Sequence, residues 1–118
     1  MNKNKLKAQV ENYIKESNSV SSNTAKIAQE KIVEASFLIS ETLKSGNKIM
    51  ICGNGGSASD AGHLAAEFTN KFSNSIVRKG MAAISLSSDS TSITAHSNDF
   101  SFDTIFSRQI ESIGQKDD

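Results

Sequence analysis

His63 and Glu67 stand four residues apart, and no other pair in this 118-residue chain is as well placed for chemistry. Four residues make about one helical turn, so on a helix both groups project from the same side. Histidine titrates near neutrality and a partly buried glutamate is pushed toward that range, so the pair can move protons, and both groups are also metal donors. The plainer reading is a solvated helix face with a local ion pair worth roughly 0.3 to 0.5 kcal/mol, and spacing alone favours it. Two donors do not close a zinc site, which takes at least three protein groups plus water. Further ligands would have to come from elsewhere or from another chain.

Just ahead of the pair lies Cys52-Gly53-Asn54-Gly55-Gly56-Ser57, preceded by the apolar Lys48-Ile49-Met50-Ile51 and followed by residues with helical spacing. That order predicts strand, tight turn, helix. Glycine lets the backbone take positive φ and approach a ligand closely, while the first amides of a helix lack partners, which together make a cradle for an anion or a sugar. The turn lacks both the dinucleotide glycine spacing and the Gly-Lys-Ser/Thr ending of a P-loop, so a nucleotide is the weaker reading. Ser57-Ala58-Ser59-Asp60 reads as a capped helix start. On the helix that follows, Ala61, Leu64, Ala65 and Phe68 form the apolar stripe beside His63 and Glu67, and the helix is expected to end near Phe72.

The elements that must position these groups follow from periodicity. Leu6, Val10, Tyr13 and Ile14 mark a one-sided helix over residues 6–17, with a polar linker at 18–22 and a second helix over 23–45 stopped by Gly46. This leading pair (residues 1–46) carries more apolar surface than one small sheet needs, which points to an oligomer. Residues 47–118 supply the first βα units of what reads as a single domain: a strand before the glycine turn, a second strand at residues 81–86, and hence a parallel sheet. A short helix at 92–96, a turn at Ser97-Asn98-Asp99 and a last helix over 102–113 stopped by Gly114 complete the pattern. His96 reads as solvated. Asn98 and Asp99 either form an Asx turn or reach the crevice at the carboxyl ends of the strands. Cys52, the single cysteine, reads as a packed, inert thiol.

Thirteen basic and thirteen acidic side chains balance to a net charge of zero, so no broad cationic field draws nucleic acid, and no apolar run is long enough to cross a membrane. The basic start of the chain leads into an amphipathic segment, not a signal peptide, which makes the cytoplasm the expected location. Two parallel strands make a very small sheet with open edges, so the chain reads as the front half of a larger doubly wound domain.

Taken jointly, Cys52 to Ser57, Asp60-Ala61, His63 with Glu67, Asn98-Asp99-Phe100, Phe102, Phe106-Ser107-Arg108-Gln109 and Glu111 resemble the phosphoheptose isomerases of the sugar isomerase (SIS) fold. The resemblance implies a flavodoxin-like αβα sandwich, a homotetramer with active sites between subunits, and interconversion of sedoheptulose 7-phosphate with D-glycero-D-manno-heptose 7-phosphate at the start of ADP-heptose synthesis for lipopolysaccharide. It implies that Asn54, Gly55, Gly56 and Ser57 bind substrate, that Asn98 and Asp99 hold the sugar, that His63 and Glu67 bind zinc, and that Glu67 also binds substrate and is the acid-base carboxylate. Family members continue past the equivalent of Asp118 into segments that complete the site, so the isolated chain is expected to be inactive. A second reading is a non-catalytic SIS protein that works by binding, either a phosphosugar-binding regulator or one of the replication-initiator-associating kind, and a third is a degenerate remnant with no activity.

Overall fold

The computed structural model describes residues 2–118, and the chain divides into two compact units, one ending at Leu38 and one spanning Ile39–Asp118. In the first unit, α1 (Lys3–Ile27) starts at Asn2, whose side chain accepts from the Asn4 amide. α2 (Gln29–Lys44) begins in this unit and ends in the other. The expected linker at 18–22 is helical, and the interruption falls at Ala28 instead (φ −105°, ψ 2°). Serine and asparagine are weak helix formers but cost only tenths of a kcal/mol each, and with no glycine or proline nearby nothing stops the helix there. Leu6, Val10, Tyr13, Ile14, Ile32, Val33 and Phe37 are all exposed among the described residues.

In the second unit α2 closes as expected at Gly46. Its φ of +83° lets the Gly46 amide donate to Leu43 O and the Asn47 amide to Thr42 O, the paired bonds of a Schellman ending. Two short strands follow, β1 (Ile49–Ile51) and β2 (Ala83–Ser85), parallel and in register Ile49 to Ala83, Met50 to Ile84 and Ile51 to Ser85. α3 (Gly56–Thr69) is the crossover between them. It ends three residues before Phe72, where Asn70 leaves helical geometry.

After β2 come α4 (Ser90–Asp99), a single 3-10 turn (Phe102–Thr104) and α5 (Ile105–Ile113), which Gly114 ends. α4 is longer than its sequence suggests, because the Asp89 carboxylate caps it from the first turn by accepting from the Thr91 and Ser92 amides and the Ser92 hydroxyl. The hydroxyl and amide of Ser92 hold that carboxyl below the usual carboxylate range. Asn98 and Asp99 are therefore the last residues of a helix and not a turn. The buried apolar core is small: Ala61 and Ala65 of α3, Leu86 just past β2, and Ile105 of α5. Alanines at this contact let α3 lie close on the sheet. Gln109 ties α5 to the strand end by donating to Leu86 O (3.0 Å) and Ile105 O (3.1 Å).

Candidate active site

The glycine turn leaves the carboxyl end of β1, and its three glycines do different work. A Cβ on Gly53 would lie 2.5 Å from the carbonyl oxygen of Ser57, closer than real Cβ contacts come, so only a bare Cα permits the chain to fold back there. Gly55 has φ +59° with ψ −126°, a positive-φ conformation that side chains disfavour and glycine takes freely. Gly56 has nothing within 4 Å of its missing Cβ, so neither space nor strain demands glycine for the fold. Gly55, not Ser57, stands at the N-cap, and no side chain caps the helix. Without a side-chain cap, the Ser57 and Ala58 amides bond back to Asn54 O and Gly55 O, which leaves the Gly55 and Gly56 amides for an anion. Asn54 and Ser57 are both exposed beside it.

A hydroxyl that sequence reasoning missed holds the turn. Ser87 Oγ donates to Gly53 O (2.7 Å) and accepts from the Gly53 amide (3.0 Å), clasping both peptide groups of the residue that opens the turn. No local spacing betrays it, since 34 residues separate the partners.

Farther along α3, His63 Nε2 and Glu67 Oε1 stand 3.0 Å apart, as their spacing predicts. Their surroundings differ: the imidazole is 76% exposed and the carboxylate 27%. Glu67 Oε2 is buried and has no hydrogen-bond partner among the described residues. A buried carboxylate oxygen with no donor is costly, which marks it as a group waiting for a ligand or for further protein. Eleven residues from Gly56 to Glu67 span about 16 Å of helix axis. The pair is thus on the third and fourth turns, and a ligand touching both the turn and Glu67 must lie extended along α3.

The carboxyl end of α3 is fastened by Arg78, again invisible to spacing. Its Nη2 donates to Glu67 O (2.6 Å) and its Nη1 to Phe68 O (2.8 Å), a planar fork on two carbonyls of the last turn of α3, and Nη1 also donates to Lys79 O (3.0 Å) in the loop beyond. A cation here also suits the helix dipole.

Asn98 and Asp99 hydrogen-bond to each other (2.8 Å), and among the described residues neither bonds to the glycine turn or to the His63–Glu67 pair. Asp99 instead borders a cleft of about 440 Å³ shared with Asp89, Ser92, His96, Arg108 and Gln109. His96 departs from the expected solvated state: it is half-buried, bonded to Thr104 Oγ1 (2.8 Å) and stacked on Phe100 at 5.0 Å. Cys52 is exposed where a packed thiol was expected, because β1 ends at Ile51 and the turn carries the next residue outward.

As metal donors, His63 and Glu67 fit two corners of a zinc site, with the orphaned Oε2 as an open donor. Among the described residues no third histidine, cysteine or carboxylate joins them.

A family model described as the SIS domain matches residues 12–118. The chain belongs to the SIS-domain family. Similar curated proteins include the phosphoheptose isomerase of Helicobacter pylori strain P12, 49% identical over 90 residues that cover 76% of this chain and 46% of that protein. The phosphoheptose isomerase of Aliarcobacter butzleri is 47% identical over 90 residues, covering 76% of this chain and 47% of its own length. Among solved structures, the phosphoheptose isomerase of Neisseria gonorrhoeae superposes with a TM-score of 0.86 at 37% identity, over 96% of this chain and 57% of that one. That of Francisella tularensis gives 0.81 at 28% identity, over 92% and 54%. This SIS-domain chain thus spans about half the length of the relatives it matches, and the expected parallel α/β architecture is the one they share.

Proposed function

We propose that these SIS-domain residues are part of a phosphoheptose isomerase interconverting sedoheptulose 7-phosphate and D-glycero-D-manno-heptose 7-phosphate. The observation that carries the reading is the Glu67 carboxylate, with one oxygen beside an imidazole and the other buried with no donor among the described residues. Moving a proton between neighbouring carbons needs such a base, presented where water is scarce. Asn54, Gly55, Gly56 and Ser57 would bind the substrate at the turn, and Asn98 and Asp99 the sugar. A linear phosphosugar suits the separation along α3: phosphate at the turn places the reacting carbons toward Glu67.

His63 and Glu67 would hold zinc with at least one donor from beyond this set, and the ion would act as the electrophile for the enediolate. For want of that donor we expect residues 1–118 alone to be inactive. The exposed apolar stripe of α1 and α2 supports assembly with further copies, which we read as a homotetramer with sites between subunits; a monomeric sedimentation coefficient for the whole protein would contradict it. We place the reaction in the cytoplasm, on the path to ADP-heptose and lipopolysaccharide. No described helix is long and apolar enough to cross a membrane.

The test is to incubate the whole protein with sedoheptulose 7-phosphate and zinc and look for the aldose by NMR. A well-folded, metal-loaded protein that binds the sugar but leaves it unchanged would favour the binding-only reading instead.

A further inference from the structure

We propose that Ser87 is a positioning residue: its hydroxyl sets the conformation of the glycine turn and, through it, the protein's affinity for a sugar phosphate. The second half of this statement rests on the function proposed above. The first rests on geometry alone.

Gly53 is the second residue after β1, and its two peptide groups decide where Asn54, Gly55 and Gly56 go. Neither group belongs to the β1–β2 ladder, which ends with the Leu86 amide donating to Ile51 O at 2.8 Å. One atom satisfies both: Ser87 Oγ accepts from the Gly53 amide at 3.0 Å and donates to Gly53 O at 2.7 Å. Only a side chain that can donate and accept from a single atom fits this place, and serine and threonine are the short ones that do. Ser87 is in turn held by its own amide, which donates to Ser85 Oγ at 3.3 Å, and Ser85 is buried at the end of β2. On the side facing Ser57 there is room for a hydrogen and not for a side chain, since a Cβ built on Gly53 would lie 2.5 Å from the Ser57 carbonyl oxygen. The carboxyl end of one strand therefore fixes the loop leaving the other.

Without the hydroxyl, both peptide planes lose their partners and can rotate, and the amides presented to a ligand lose their register. A positioning error of this kind costs on the order of tenfold in affinity, while the proton-transfer groups on α3 are untouched.

The experiment compares Ser87→Ala and Ser87→Thr in the whole protein. Amide hydrogen exchange is read at Gly53, with Leu86 as the internal control for the sheet. We expect Gly53 exchange to rise at least tenfold in Ser87→Ala, to stay near wild type in Ser87→Thr, and Leu86 to change in neither. With sedoheptulose 7-phosphate, Ser87→Ala should raise KM about tenfold and leave kcat within about threefold, with threonine restoring KM. Unchanged Gly53 exchange in Ser87→Ala, or equal damage in both variants, overturns the proposal. If wild type turns over no substrate, the isomerase reading fails by itself and titration with inorganic phosphate replaces KM; Gly53 protection lost in alanine and kept in threonine then still upholds the clasp.

Discussion

Alanine substitutions at the three glycines of the turn should separate into two classes, although all three lie within four residues. At Gly53 a Cβ would sit 2.5 Å from Ser57 O, 2.6 Å from its carbonyl carbon and 2.7 Å from its Cβ. Backbone atoms cannot swing aside, so the chain must open by about 0.9 Å to reach ordinary contact at 3.4 Å, in a turn that Ser87 pins from the other side. Overpacking of this sort costs about 1–3 kcal/mol. At Gly55 there is open space, and the cost is the backbone: φ +59° with ψ −126° is a positive-φ conformation outside the left-handed helical well, which a side chain adopts at about 1–3 kcal/mol. At Gly56 neither penalty applies, so alanine should be neutral or stabilise by up to about 0.5 kcal/mol through helix propensity. Thermal unfolding followed by circular dichroism should place Gly53→Ala and Gly55→Ala both below Gly56→Ala, with Gly53→Ala lowered by roughly 2–10 °C. A Gly53→Ala protein that melts with wild type, or a Gly56→Ala protein less stable than Gly53→Ala, would refute the steric argument.

Arg78→Ala should free the last turn of α3 and destabilise by about 1–3 kcal/mol, since charge-assisted bonds to two helix carbonyls go with it. Exchange at the Asn70 and Met81 amides reads this out, and Arg78→Lys should rescue little, because an ammonium lacks the fork; full rescue by lysine would count against it. Asp118 is held at a pKa of about 2 by hydrogen bonds from the Lys48 ammonium and amide, against 3.8 unperturbed. A carboxyl whose folded pKa is depressed stabilises fully above its unfolded pKa and loses that contribution as pH falls from about 4 through about 2. Lys48→Met should therefore be less stable than wild type at pH 6, with the gap closing toward pH 2, and should return the Asp118 midpoint in a carbon-13 titration toward 3.8; an unmoved midpoint would exclude the pairing.

Much of the second unit was legible because its signals are local. The apolar runs around Ile49 and Ile84 pair as parallel strands, the spacing of Ala61 and Ala65 gives the buried face of α3, and Gly46 closes α2 because only glycine takes that φ cheaply. His63 and Glu67 meet because a helix imposes it. What spacing did not reveal comes from distance along the chain or from competition between weak preferences. Ser87 and Arg78 act on backbone groups far from them in sequence or at a helix end, where any polar residue would read the same. The serines at 18–22 look like a linker, yet nothing there outweighs a helix already propagating from both sides. Asn98 and Asp99 look like a turn for the same reason, and the Asp89 cap carries the helix through them.

The central claim is that the Glu67 carboxylate moves the proton between neighbouring carbons of a phosphosugar, and one experiment addresses it directly. The whole protein and its Glu67→Gln variant are incubated with sedoheptulose 7-phosphate in deuterium oxide, and deuterium entering the carbon beside the carbonyl is followed by proton NMR. The account predicts aldose formation with solvent deuterium uptake by wild type, and neither from a Glu67→Gln protein that melts normally and still binds the sugar. Deuterium uptake or isomerisation by Glu67→Gln at close to the wild-type rate would contradict it.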